Sequence, residues 1–211
     1  MHLEYIMNWM TFRAKLFDLA CFNIHQVYAW QPGFDRNNIV RWTRKGYIIR
    51  LRQGVYAFPE YKGVPDAAAY CAGRMYSPSY ISLHTALSFY GLIPEAVVQV
   101  TSVTSLKTAA FTNAFGDFSY RSVKPELMFG HEPRKVMDGR ALAFATREKA
   151  ILDLLYLYPF YDTVEELEQL RLDPEALKED IRLDRLEEFL EKFRSRALAQ
   201  RVGLLRKVYR L

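Results

Sequence analysis

The stretch that decides the fold is "FDRNNIVRWTRKGYIIRLRQGVYAFPE", residues 34–60. It carries six of the chain's 29 basic residues and only two acidic residues, which lie near its two ends. Apolar residues recur between the charges at regular spacing, so part of this segment must face a core. A charged run is usually a solvated surface. The stretch therefore has to be divided into elements before its charge indicates a function.

The first half of the stretch has the residues that typically begin and end a short helix. Asp35 is a typical N-cap, and Phe34 and Ile39 stand at the spacing of a hydrophobic staple. Ile39 and Trp42 form the inward stripe, and Gly46 is the expected residue just past the C-terminal end. The sequence therefore predicts a third helix that is anchored by one apolar face.

The second half of the stretch predicts a β-hairpin, "YIIRL" and "VYAFP" joined at Arg52, Gln53 and Gly54. Upstream, apolar spacing predicts helices over residues 10–21 and 24–30, the latter capped by Asn23. Three helices followed by a hairpin within about 50 residues are typical of a winged helix-turn-helix. We therefore expect an N-terminal winged helix-turn-helix DNA-binding domain at residues 1–62.

Residues 63–211 predict a mixed α/β domain with a helical tail, which makes the whole chain α+β. The Pro- and Gly-containing segment 59–66 is the expected linker. The predicted helices cover residues 66–76, 82–90 and 146–158. The predicted strands cover residues 96–104, 109–123 (a pair turning near Gly116) and 140–145. The helical tail starts at Thr163.

The cysteines and histidines predict no disulfide framework and no metal site. Cys21 and Cys71 each lie in an apolar segment, as buried free thiols of a reducing compartment do. The four histidines do not pair with cysteines at zinc-ligand spacing. No secretory signal pattern and no membrane-spanning apolar run is visible. We expect a cytoplasmic protein with no membrane contact, no metal and no cofactor.

Charge is distributed unevenly along the chain. The first 62 residues contain nine basic and four acidic residues, a net charge of +5, whereas residues 63–211 contain 20 of each. This asymmetry favours a small polyanion-binding module attached to a body of zero net charge.

The outward face of the third helix carries the candidate DNA contacts. With Ile39 and Trp42 inward, residues 37, 40, 41 and 44 share the opposite face. Arginine can pair with guanine edges or phosphates, and asparagine can read adenine. Alternation with apolar residues in the hairpin predicts that two arginines share one face of a wing, in reach of the phosphate backbone. The candidate DNA-binding residues are Arg36, Asn37, Arg41, Arg44, Lys45, Arg50 and Arg52. Solvated surface charge remains the alternative interpretation, and no aromatic stacking platform for RNA is visible.

No catalytic motif stands out. The sequence lacks a glycine-rich phosphate loop and a nucleophile elbow. Lys149 and Asp153, four residues apart, are expected to pair along a helix, and Glu148 lies in a first turn where capping and solvent explain it. The other residues considered are Ser82, His84 and Thr85. We expect no enzyme, although a metal-dependent nuclease built from distant residues stays an alternative.

Four segments in chain order resemble the AbiEi family, which comprises antitoxins and transcriptional regulators of bacterial type IV toxin–antitoxin systems linked to abortive phage infection. The segments are "RWTRKGYIIRLRQGVYAFP" (41–59), "PSYISLHTALSFYGLIPE" (78–95), "VTSVT" (100–104) and "TREKAILDLLYL" (146–157). The resemblance covers roughly residues 10–158.

This resemblance implies a winged helix that binds operator repeats in double-stranded DNA upstream of its own operon, and a C-terminal domain that carries the antitoxin property. It also implies a nucleotidyltransferase-like toxin encoded beside the antitoxin. It carries over no catalytic residues. The expected function is that of a DNA-binding autorepressor and antitoxin. The alternative is a protein-interaction module that binds and neutralises such a toxin directly, with no specific role on DNA.

Overall fold

A computed structural model describes residues 7–211. N-terminal helices with a three-stranded sheet precede a six-stranded mixed sheet and a C-terminal helical segment, which confirms the expected mixed α+β class. The helices are α1 (Trp9–Leu16), α2 (Ile24–Trp30), α3 (Asn37–Arg44), α4 (Ala67–Met75), α5 (Leu83–Phe89), α6 (Arg147–Leu157), α7 (Val164–Gln169), α8 (Pro174–Asp180), α9 (Leu183–Phe193) and α10 (Arg196–Tyr209). The strands are β1 (Cys21–Asn23), β2 (Ile49–Arg52), β3 (Val55–Ala57), β4 (Ser79–Ile81), β5 (Val100–Thr104), β6 (Ala109–Asn113), β7 (Gly116–Ser122), β8 (His131–Val136) and β9 (Arg140–Ala145). None of the helices that the structure describes has the length and apolar character needed to cross a bilayer.

The predicted first helix over residues 10–21 is wrong at its C-terminal end. α1 stops at Leu16, a 3-10 turn follows, and Ala20 adopts a left-handed φ of 58° that reverses the chain. The next three residues form β1, which pairs antiparallel with β3 so that Cys21 lies opposite Ala57. A short apolar run fits a buried strand as well as a helix, and here pairing with β3 decides.

The second helix and the hairpin are confirmed. Asn23 caps α2 in a reciprocal capping box: its side chain accepts from Gln26 N at 3.0 Å, and Gln26 Oε1 accepts from Asn23 N at 2.9 Å. β2 and β3 pair antiparallel through a turn in which Gly54 has φ +76°. With β1 they form a sheet in the order β1-β3-β2.

The large sheet has the strand order β6-β7-β5-β4-β9-β8, in which β4–β9 and β5–β7 are parallel and the other neighbours are antiparallel. The predicted strand at residues 140–145 and the pair turning near Gly116 are confirmed. The strand expected from residue 96 starts at Val100. β4 and β8 were not predicted, because β4 is three residues long and β8 is mostly polar and contains Pro133.

The helical tail is confirmed, and it closes the sheet on one side. α9 and α10 both pack against α6, and α10 also packs against α7. Apolar residues recur along this tail at intervals of three or four residues, and of these Leu190 is partly buried. Those that are buried include Leu167, Leu170, Leu177, Ile181, Leu186, Phe189 and Phe193.

The segment expected as a linker contacts the large sheet. Tyr61 is buried, and its hydroxyl accepts a hydrogen bond from Arg140 of β9 at 3.1 Å. Arg140 also donates to Asp18 O at 2.7 Å, which ties β9 to the turn after α1.

The two cysteines are buried free thiols as predicted, Cys21 on β1 and Cys71 on α4, and these two elements contact each other.

A fully buried ionic network joins β4 to α6. Lys149 and Asp153 form the expected i,i+4 pair with both side chains at 0% exposure. Tyr80 and Ser82 donate to Asp153 Oδ2 at 2.9 and 2.8 Å, and Lys149 Nζ donates to the Tyr80 hydroxyl at 2.9 Å. Burial raises the pKa of Asp153, and the neighbouring ammonium of Lys149 acts against that rise. Each charge therefore depends on the other for its place in the core.

We predict that Lys149→Met lowers the free energy of unfolding by about 3–5 kcal/mol, because it leaves an unpaired carboxyl in the core. The variant also removes the group that lowers the pKa of Asp153. The folded carboxyl then holds a proton that the unfolded chain releases above about pH 4. Stability should therefore fall as pH rises from about 5 to 8.

The matched control is Lys149→Met with Asp153→Asn, whose neutral amide oxygen still accepts from Tyr80 and Ser82. Urea unfolding at several pH values should show recovery of at least half of the loss, and no fall of stability with rising pH beyond that of wild type. Equal stability of the single and double variants at all pH values would contradict this account of the network.

Candidate nucleic-acid interface

α3 ends as its sequence predicts, but it begins one residue later, because its N-cap is Arg36 and not the predicted Asp35. Asp35 Oδ1 accepts from Asn37 N at 2.9 Å, so this carboxylate caps the first turn. At the other end Gly46 has φ +72°, Gly46 N donates to Thr43 O at 3.0 Å, and Tyr47 N donates to Trp42 O at 2.9 Å. These two bonds form a Schellman motif, which stops the helix and turns the chain towards β2.

The inward face of α3 is fixed by aromatic packing. Ile39 and Trp42 are buried, as expected. The Trp42 ring lies 4.5 Å from Phe12, 5.2 Å from Trp9 and 6.0 Å from Phe34, measured between ring centroids. Contacts of this kind with α1 and the α2–α3 turn fix the rotation of α3 about its own axis.

The outward face of α3 is exposed and basic. Of the seven candidate residues, six are solvent-exposed, and they lie on α3, at its two ends and on β2: Arg36, Asn37, Arg41, Arg44, Lys45 and Arg50. None of the basic residues among these six forms a salt bridge with an acid of residues 7–211. Lys45 Nζ lies 5.8 Å from the centroid of the Tyr47 ring. These exposed side chains therefore carry positive charge that no acid among residues 7–211 neutralises in a salt bridge.

Val40 is a further member of this face. It is 47% exposed and lies one helical turn from Asn37 and Arg44, beside Arg41. The face is thus not purely polar, because an apolar side chain lies between two arginines and an asparagine.

Arg52 does not share the exposed face of Arg50, so this expectation is wrong. The ladder places Arg50 opposite Tyr56 and Arg52 opposite Val55, so Leu51 is an extra residue in a β-bulge. A bulge breaks the alternation of faces on which the prediction relied.

The side chain of Arg52 turns towards the six-stranded sheet. Its Nη1 donates to Met75 O at 3.1 Å, and its guanidinium lies 5.2 Å from the Tyr76 ring centroid and 5.3 Å from that of Phe111. Asn113 Nδ2 donates to Leu51 O at 3.2 Å beside it. Arg52 is therefore placed to fix the hairpin to β6 and the end of α4.

The residues considered for catalysis make structural contacts. Ser82 donates to Asp153, and the Thr85 hydroxyl donates to Gln99 O at 3.1 Å. Burial lowers the pKa of His84, whose ring packs edge-on at 5.7 Å from Tyr158. Among residues 7–211, no group of three His, Cys, Asp or Glu side chains is arranged to hold a metal ion.

Glu148 is not at the surface, so its explanation by solvent is wrong. It is 3% exposed, and its carboxylate accepts from Arg182 N at 3.1 Å. This hydrogen bond links α6 to the start of α9. No local sequence pattern predicts such a long-range contact.

The zero net charge of residues 63–211 conceals two charged segments. Residues 162–180 contain eight acidic and two basic residues, and residues 192–211 contain seven basic and no acidic residues. The acidic segment forms α7 and α8, and all of its acids except Glu166 are solvent-exposed. The basic segment forms the end of α9 and α10.

We predict stability effects of different size for Arg41 and Arg52. Arg41→Ala should change the free energy of unfolding by less than about 0.5 kcal/mol, because the exposed side chain has no partner among residues 7–211. Arg52→Ala should cost about 1–3 kcal/mol, since it loses a charged hydrogen bond and two aromatic neighbours. Urea unfolding of both variants measures this difference. A larger loss in Arg41→Ala than in Arg52→Ala would contradict the assignment of the two side chains.

The chain has no recognised relative among the proteins compared. A scan against protein-family models and a search of curated proteins both returned no match. An account of function therefore depends on the residues and their geometry, together with the resemblance of the quoted segments.

Proposed function

We propose that the protein is a DNA-binding transcriptional autorepressor and antitoxin of a type IV, AbiEi-like toxin–antitoxin system, acting in the cytoplasm. In this proposal residues 1–62 are a winged helix-turn-helix, α3 is its recognition helix and the β2–β3 hairpin is its wing. The double-stranded DNA partner is operator repeats upstream of its own operon.

The observation that carries the DNA-binding part is the exposed face of α3. Arg41 and Arg44 project from the side opposite buried Trp42, and Arg50 lies on the following strand. None of the three has a salt-bridge partner among the described residues. Cations without internal partners are free to replace counterions on phosphates, which is the main source of affinity for DNA.

Helix electrostatics explain only part of this charge. Cations near the C-terminal end of a helix gain about 0.3–1 kcal/mol from its dipole, which could account for Arg44 and Lys45 as ordinary surface residues. Arg36 lies at the opposite end, where a cation is disfavoured. Arg50 lies on a strand, and no dipole supports it. A phosphate backbone that runs along both ends of α3 and the wing would account for all four.

The antitoxin part of the proposal is supported by the resemblance of residues 78–95, 100–104 and 146–157 to AbiEi proteins. Those segments form β4 and α5, β5, and α6, which lie at the centre of the large sheet and against it. Their buried residues include Tyr80, Lys149 and Asp153. The resemblance therefore concerns the framework of the second domain.

We predict salt-dependent binding to the DNA fragment immediately upstream of the protein's own gene. In a mobility-shift titration from 50 to 200 mM KCl, log affinity should fall linearly with log salt concentration. Arg50→Ala should reduce the slope by about one, because it removes one phosphate contact. Arg171→Ala, an exposed arginine on the acidic segment, is the matched control and should leave the slope unchanged. Absence of binding at 50 mM KCl would overturn the proposal.

A second candidate function is direct binding of a toxin, and a groove beside α7 favours it. The groove has a volume of about 500 Å³, and its lining is half apolar or aromatic and half polar, with Glu95 as its one carboxylate. Val98, which lines it, is 88% exposed, and Val164 at the start of α7 is 42% exposed. Exposed apolar groups with acidic neighbours suit a partner whose contact surface is apolar and basic.

For this second candidate, we predict that the nucleotidyltransferase-like protein encoded next to this gene co-elutes with the wild-type chain in size-exclusion chromatography. Val98→Lys should abolish co-elution, because it places a cation against a basic partner. Met10→Lys alters an equally apolar residue that is 71% exposed on α1, and it should preserve the complex. Separate elution of the two wild-type proteins would exclude a stable complex through this groove.

A further inference from the structure

Val40 has no structural reason to be valine. Its side chain is 47% exposed on α3, while the apolar contacts that hold this helix come from Ile39 and Trp42. Valine is a weaker helix former than alanine, lysine or arginine because its branched side chain loses rotamer freedom against the preceding turn. Packing and helix propensity therefore both leave this residue unexplained.

The neighbours of Val40 define what could cover it. Asn37 and Arg44 lie one turn to either side, and Arg41 is adjacent; all three are exposed, and neither arginine has a salt-bridge partner among residues 7–211. A ligand for this face must present negative charge or hydrogen-bond acceptors around one small apolar group. The major groove of DNA offers this combination, because thymine displays a C5-methyl group beside the acceptors of neighbouring bases and phosphates.

We infer that Val40 is a specificity-determining residue that contacts the C5-methyl group of a thymine in the major groove. This inference rests on the proposed DNA-binding function and refines it. The DNA that the protein prefers carries an A·T pair, with thymine on a defined strand, at the position that Val40 faces. Asn37 and Arg41 or Arg44 contact the flanking bases or phosphates.

Replacement of thymine by uracil tests the contact directly, since uracil lacks only the methyl group. The probe is the fragment immediately upstream of the protein's own gene, made once with thymine and once with uracil throughout. Wild type should bind the uracil probe about fourfold more weakly for each methyl group that it would otherwise cover, which is the effect of one methyl-sized group left unburied. Val40→Ala should bind the thymine probe more weakly than wild type does and should show a smaller thymine-to-uracil ratio, since its side chain is two methyl groups smaller and covers less of the thymine methyl group.

Leu106→Ala is the matched control, because it truncates an exposed, branched apolar side chain outside α3. It should show the same thymine-to-uracil ratio as wild type. Any effect of uracil on DNA shape is common to all three proteins, so a ratio that changes only in Val40→Ala reports the loss of the methyl contact. Thermal unfolding of Val40→Ala should show a melting temperature no lower than that of wild type, so weaker binding would not reflect loss of fold. Probes with uracil at single positions would then locate the contacted base.

The outcomes separate this inference from the function on which it rests. If wild type and Val40→Ala bind with the same thymine-to-uracil ratio, the methyl contact is excluded while salt-dependent DNA binding stands. If wild type binds neither probe at 50 mM KCl, the proposed function fails and this inference fails with it. If Val40→Ala changes the oligomeric state of the free protein in sedimentation velocity, Val40 serves a protein contact and the inference is overturned.

Discussion

The insertion of Trp42 into the aromatic cluster of the N-terminal helices is the interaction on which the candidate interface depends. Truncation of a buried aromatic residue of this size costs about 3–5 kcal/mol, whereas a like-charge pair one turn apart on a helix costs only about 0.2–0.5 kcal/mol. Packing therefore outweighs the repulsion between Arg41, Arg44 and Lys45 and holds α3 in one rotation. Because Trp42 and Ile39 face inward, positions 37, 40, 41 and 44 have to face solvent. The packing of the core thus determines which side of α3 presents its charged residues to solvent.

A second constraint joins this interface to the rest of the chain. Arg52 reaches the end of α4 and the ring of Phe111 on β6, and Arg140 on β9 binds the turn after α1 through Asp18 O. Arg52 thus attaches the hairpin to the large sheet, and Arg140 attaches the turn after α1 to the same sheet. A wing fixed in this way would approach DNA in a preset orientation, so less conformational freedom would be lost on binding.

Sequence reasoning predicted what local patterns encode and missed what distant contacts decide. The caps at Asn23 and Gly46 and the buried stripe of α3 involve residues within one or two turns, so the spacing of the sequence contains the signal. The first helix was predicted to extend to residue 21, whereas residues 21–23 form a strand, because only pairing with β3 makes them one. The position of Arg52 could not be predicted either: a one-residue bulge at Leu51 reverses the face, and nothing in "IIRLRQG" marks it. Glu148 was misjudged for the same reason, since its partner lies 34 residues away. Within the candidate interface, such a long-range contact made only the prediction for Arg52 in the hairpin wrong.

The buried pair Lys149–Asp153 distinguishes the core around α6 from an ordinary apolar core. Replacement of such a pair by apolar residues is often neutral or stabilising, so stability alone does not explain why it is present. The pair instead contributes specific hydrogen bonds between elements. Asp153 accepts from Tyr80, which lies on β4, and from Ser82, which lies at the N-terminal end of α5. An apolar pair could slide along the sheet, whereas four hydrogen-bonded groups at 0% exposure fit in one register only. The network therefore fixes α6 against β4. α9 and α10 pack on α6 in turn, so the network lies within the helix that supports these two helices.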